Sequence, residues 1–108
     1  SILKKKLGPI LIDSIGGFVM ETIDKEPMEW LKKMDLLIKN LQERNSLTLI
    51  VGEQVGWSLV SEYKIGNTYI ERIGELQKKI TKISKDNWIA INGRAIKIDE
   101  ISIEIPTR

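Results

Sequence analysis

A chain of 108 residues suffices for one small domain, and 42% hydrophobic with 30% charged side chains describes a packed core rather than a disordered chain. Seventeen basic against fifteen acidic residues leave a net charge of only +2, so composition makes no case for nucleic acid as a partner. Cysteine and histidine are both absent, which excludes disulfides, a thiolate nucleophile, a cysteine or histidine zinc site and any histidine-linked covalent intermediate.

Residues 1–7, SILKKKL, read as a short helical end that Gly8-Pro9 breaks. Ile10, Leu11 and Ile12 form a continuous apolar run ending at Asp13, the pattern of a parallel strand covered on both faces. Ser14 and the Gly16-Gly17 pair follow, where the backbone can turn tightly or approach a ligand. Phe18, Val19, Met20 and Ile23 continue as a short helix or a packed loop. Pro27 suits the first turn of a helix because its missing amide donor has no partner there in any case. Met28, Leu31, Met34, Leu37, Ile38 and Leu41 then recur at spacings of three and four, a helical core stripe. Its methionines and Trp30 read as packing rather than as a cofactor face.

Leu47 to Val51 is a second short apolar run, and strand, helix, strand in that order implies a parallel pair. A glycine-punctuated polar loop comes next. Thr68 and Glu71 have capping-box spacing, and Tyr69, Ile73, Leu76, Ile80 and Ile83 make the stripe of another helix. Gly74 inside that helix costs about 1 kcal/mol against alanine, which a close backbone approach to the sheet, a partner or a ligand would explain. Lys78, Lys79, Lys82 and Lys85 read as a solvated face. Trp88 to Ile91, Asn92-Gly93 and Ala95 to Ile98 read as strand, two-residue turn and returning strand. Ile101, Ile103 and Ile105 alternate with Ser102 and Glu104 until Pro106, as in a half-exposed or edge strand. The fold class is α/β. No apolar run reaches the roughly 18 residues of a membrane span, the first residues are too polar for a signal-peptide core, and the cysteine-free composition fits a cytoplasmic protein.

The stretch from Leu47 to Gly74 is the candidate ligand loop, since a strand, a loop and a helix N-terminus in succession offer free amides to an anion. An ordinary crossover gives the same pattern. Asp13, a carboxylate at a strand end followed by Ser14, is placed to hold hydrated magnesium near phosphates, or simply to cap the next turn. Glu53 and Gln54 follow the second strand directly and point towards a ribose or base edge, unless they are only polar loop. Asn67 and Glu71 lie near the start of the next helix, where anions are favoured, although Glu71 is also the capping partner of Thr68. No GxxxxGK[ST] phosphate loop is present in the 108 residues.

The central stretch VGEQVGWSLVSEYKIGNTYIERIGEL, with GPILIDSIGGFV before it and IAINGRAIKI after it, resembles the bifunctional adenosylcobinamide kinase / adenosylcobinamide-phosphate guanylyltransferase family. The matches come in order and cover nearly the whole chain. The resemblance implies a RecA-like P-loop fold with a mostly parallel sheet flanked by helices and a closing antiparallel hairpin. Residues 1–108 would be a single partial domain, the carboxyl-terminal part, because the P-loop and the guanylylated histidine of the family are not among them. It implies magnesium with GTP or ATP, a corrinoid partner, and a homo-oligomer, a trimer in the family. By resemblance Asp13 matches the magnesium-associated aspartate, and Gly56, Tyr63, Gly66, Tyr69, Gly74 and Leu76 match the loop framework. The nucleotide or substrate set is then Glu53, Gln54, Gly56, Asn67 and Glu71.

Several polar positions depart from the family pattern. Gln54 replaces a glutamate, Ser61 a proline, Asn67 an arginine, Ile70-Glu71 an Arg-Asp pair, and Gly17 a threonine. Asparagine cannot supply the charge or the bidentate fork of arginine. The chain alone is therefore expected to be inactive, as a fragment or as a degenerate module kept for nucleotide binding or assembly. A sheet lacking its P-loop strand exposes an edge and apolar faces, so self-association is expected.

Overall fold

The computed structural model of the chain describes residues 8–52 and 64–105. The helical end expected at residues 1–7 and the expectations for Glu53, Gln54, Gly56, Ser61 and Tyr63 lie outside those residues. Strand β1 (Ile10–Asp13) and strand β2 (Thr48–Val51) pair in parallel, with Ile10 opposite Thr48 and Asp13 opposite Val51. Between them run helix α1 (Gly16–Glu21) and helix α2 (Pro27–Gln42), the latter with Pro27 at its first turn. Helix α3 (Lys64–Ile83) leads to an antiparallel hairpin of β3 (Trp88–Ile91) and β4 (Arg94–Lys97), followed by a single helical turn, α4 (Ile98–Ile101). The hairpin turn places Asn92 at φ 50° and Gly93 at φ 75°, the two left-handed residues that a two-residue turn requires.

Helices α1, α2 and α3 contribute to one core. Ile15, Val19, Trp30, Met34, Leu41, Ile73, Leu76 and Ile80 are buried, and Ile12 and Ile50 of the sheet pack against them. The core-packing reading of Trp30 and Met34 holds, and Met34, Leu37, Ile38 and Leu41 of the expected stripe lie in or against the core, but at the start of α2 Met28 and Leu31 are exposed and Trp30 is buried instead. Trp30 displaces them because its ring packs on Phe18 of α1, 5.9 Å between centroids.

Among the described residues the core packs against one face of the β1·β2 sheet. Ile10, Ile12, Thr48 and Ile50 point to the helices and are half-buried, whereas Leu11 and Leu49 are 61% and 59% exposed and Val51 is exposed beside them. The helices of the core pack against one face, so strands without sequence alternation acquire an alternating burial pattern. Gly16-Gly17 does not form a loop either; both residues are in α1, and Gly16 is buried. Among the described residues a Cβ at Gly74 would meet nothing within 4 Å, so the sheet makes no close approach there. Finally, Ile101, Ile103 and Ile105 join no strand and are 72%, 92% and 79% exposed. Among the described residues β3 and β4 make a two-stranded sheet, and no strand there pairs with this alternation.

Two arginines tie the elements together. Arg44, just past α2, donates through Nε to Thr48 Oγ1 at 2.9 Å and through Nη2 to the Gly8 carbonyl, joining the helix end to the starts of both parallel strands. Arg72 of α3 is 7% exposed. Its Nη1 donates to the Thr22 carbonyl at 2.8 Å and its Nη2 to the Lys25 carbonyl at 2.6 Å, so it satisfies acceptors left where α1 ends. The guanidinium lies 5.3 Å from the Trp30 ring centroid, a favourable cation–π distance.

Candidate nucleotide and metal site

The carboxyl ends of the two parallel strands define the site. In-register parallel pairing brings Asp13, the last residue of β1, beside Val51, the last of β2. The amide of Ile15 continues the pattern by donating to the Val51 carbonyl at 3.2 Å. Asp13 points to the face away from the core and is exposed, so its carboxylate meets solvent. Open α/β sheets receive ligands beyond the carboxyl ends of their strands, which is what makes this end the candidate site.

Gly52 leaves β2 at the same end. A Cβ there would stand 2.8 Å from Nε2 of Gln77, so the strand end runs close against the side of α3. Gln77, which sequence reasoning did not single out, is the side chain that stands against this strand end. Its signal was present: it falls four residues after Ile73 and three before Ile80, a polar side chain in an otherwise apolar stripe. A half-buried primary amide at that place can donate and accept.

The remaining candidates separate. Asn67 and Glu71 both lie within α3 and are exposed, one turn apart on the same side of the helix. Thr68 does not cap α3, because the helix already includes Lys64 and Thr68 sits in its second turn. Glu71 is correspondingly not a capping partner. The apolar face of the helix, anchored by Tyr69 and Ile73 on the core, extends the helical turns past the capping-box signal. Glu53, Gln54 and Gly56 follow Gly52 in sequence and lie outside the described residues.

Beneath the sheet, a cavity of about 220 Å³ is lined by Ile12, Ile15, Phe18, Leu37, Leu41, Ile50 and Ile80. It is part of the core side of β1 and β2, opposite the face that carries Asp13. No group of three or more acidic, histidine or cysteine side chains able to hold a metal occurs among the described residues. No helix of the described residues is long and apolar enough to cross a membrane.

Comparison of the sequence with curated proteins returns no match. A family model described as cobinamide kinase / cobinamide phosphate guanyltransferase matches residues 1–98, most of the chain, and the chain belongs to that family.

Proposed function

We propose that these residues are the carboxyl-terminal part of a cobalamin-biosynthesis enzyme that phosphorylates adenosylcobinamide and transfers GMP from GTP to adenosylcobinamide phosphate. Family membership over residues 1–98 supports the reaction class. The observation that carries the reading to particular residues is the pairing of Asp13 with Val51 at the carboxyl ends of β1 and β2. In this reading residues 1–108 form one partial domain of a RecA-like P-loop fold. The P-loop and the histidine of the family would then lie outside these 108 residues, which contain neither.

Magnesium is bound by one or two carboxylates, with waters and phosphate oxygens completing its shell. One exposed carboxylate at a strand end fits that demand, and Asp13 would hold the ion or one of its waters. Bound there with GTP or ATP, the ion neutralises charge that develops on the transferring phosphate. Glu53, Gln54 and Gly56 would bound the nucleotide or corrinoid on the β2 side, and Asn67 and Glu71 would do so from α3. The assembly would be a cytoplasmic homo-oligomer, a trimer.

The test has two parts. The 108-residue chain with adenosylcobinamide, GTP and magnesium should show no turnover, and turnover by the chain alone would refute the division between two parts. Calorimetry should show GTP–magnesium binding in the micromolar range that Asp13→Ala abolishes. The neutral residues at Gln54, Asn67 and Ile70 favour a second reading, a degenerate module of the same fold that serves assembly without catalysis. A chain that folds and binds no nucleotide would support that reading over the first.

A further inference from the structure

The cavity beneath β1 and β2 lies apart from the candidate site. Asp13 is on the outer face of the sheet, whereas the cavity is on the core side, bounded by both strands and by side chains of α1, α2 and α3. Its volume is about 220 Å³, and every described side chain that lines it is isoleucine, leucine or phenylalanine. Ile15, Leu41 and Ile80 are buried, while Ile12, Phe18, Leu37 and Ile50 are half-buried, so a small molecule has a way in.

Two properties of this lining keep the space from closing or from holding ordered water. Four of the seven lining residues are isoleucine, whose branched Cβ restricts χ1 and keeps the side chain from swinging into a gap. A buried water needs about two to four polar partners, and the lining side chains offer none.

An empty space of this kind leaves its wall atoms without dispersion partners on one side. An apolar molecule supplies those contacts and gives up no hydrogen bond on leaving water. A charged or strongly polar one loses its hydration and receives nothing in exchange. Apolar cavities of about 150 Å³ lined by leucine, isoleucine and phenylalanine stay dry and take up benzene. A space of about 220 Å³ suits one such ring carrying a short alkyl substituent.

We propose that this cavity is a binding site for a small uncharged apolar molecule, of the class of a single aromatic or alicyclic ring with a short alkyl substituent. Ile12 and Ile50 are partners across the parallel pair, one residue before Asp13 and Val51. An occupant therefore touches both strands just before their carboxyl ends, on the face opposite Asp13. The site follows from the shape and chemistry of the cavity alone and is independent of the proposed enzymatic reading.

Toluene is the probe. Titrated into the 108-residue chain, it should bind saturably and raise the melting temperature progressively with its concentration, as a ligand of the folded state does. Isotope-filtered nuclear Overhauser spectra should place toluene protons against the methyl groups of Ile12, Ile50 and Leu41. Benzoate, the same ring with a carboxylate, should bind about a hundredfold more weakly or less. Leu41→Phe fills the space with a ring of its own and should remove toluene binding while the circular dichroism spectrum is kept. If that variant does not fold, Leu37→Phe makes the same test from a half-buried position. Leu49→Lys, on the outer face of the sheet, should leave the affinity unchanged. Absence of saturable binding overturns the proposal. So do contacts to Leu11 and Leu49 in place of Ile12 and Ile50, equal binding of benzoate, or undiminished binding by a folded, cavity-filled variant.

Discussion

Arg72 shows how one side chain can hold three elements. It is a buried charge compensated by the Thr22, Ile23 and Lys25 carbonyls and by the face of Trp30. Charge-assisted hydrogen bonds to carbonyls are stronger than neutral ones, and a buried acceptor that loses its donor is penalised for its whole desolvation. Arg72→Met keeps the apolar stem and removes every donor. We expect it to destabilise the fold by about 2–4 kcal/mol, read as a lower urea midpoint with an unchanged slope. Arg72→Lys should recover only part of the loss, because one ammonium cannot span carbonyls on both sides of the α1–α2 turn. In sequence this arginine is flanked by Glu71 and looks like one more solvated charge. Its position three residues after Tyr69 and four before Leu76 places it on the buried stripe, and only the carbonyls left at the end of α1 explain why a cation is tolerated there.

At the level of α3 and the parallel sheet, the helix carries a glycine that its surroundings do not require. Gly74 has ordinary helical backbone and open space where a Cβ would go, so Gly74→Ala should stabilise by about 1 kcal/mol. For a domain of this size that is roughly 4–8 °C in melting temperature. A fall in melting temperature would mean that the glycine is needed for a contact, as its sequence position had suggested. The sheet offers a paired comparison. Leu49→Thr changes an exposed, β-compatible position and should shift stability by less than about 0.5 kcal/mol, whereas Ile50→Thr puts a hydroxyl against the core and should cost about 1–3 kcal/mol. Equal losses in the two denaturation curves would show that the outer face is covered. Element types were legible because apolar spacing, Pro27 and Asn92-Gly93 are local signals. What the sequence could not supply was the number of layers. A continuous apolar strand is consistent with cover on both faces, but cover depends on which other elements are present. The same holds for the candidate site: Asp13 at a strand end and Gln77 in an apolar stripe were both legible as polar residues, while the closeness of Gln77 to Gly52 depended on how α3 lies against the strand end.

Across the whole molecule, two sheets of unequal standing share one chain. The β1·β2 sheet is backed by the buried core, whereas the hairpin is fastened by polar contacts around Asn87: its amide to Asp99, its side chain to Asp99 at 3.1 Å and to the Thr81 carbonyl at 3.2 Å. Hydrogen bonds from Asn87 hold the Asp99 carboxyl below its ordinary value of 3.8. A lowered folded-state value means that this contribution is complete above the ordinary aspartate range and disappears as pH falls through the lowered value. At the opposite limit, Lys97 is raised above 10.5, chiefly by its hydrogen bond and charge pairing with Asp86 and secondarily by Glu100. That contribution is complete below the unfolded lysine value and is lost as pH rises through the raised one. The hairpin should therefore open as its own unit, most closed between those limits. Amide exchange, corrected for intrinsic rates, should show lower protection at Ile89 and Ile98 than at Ile73 and Leu76. Asp99→Asn should lower hairpin protection further near neutral pH, leave the α3 amides unchanged, and match the parent chain once Asp99 is protonated. If the variant lowered protection equally at Ile73 and Leu76, the hairpin and the core would open together, because in a single cooperative unit the Asn87–Asp99 contact would stabilise every amide alike.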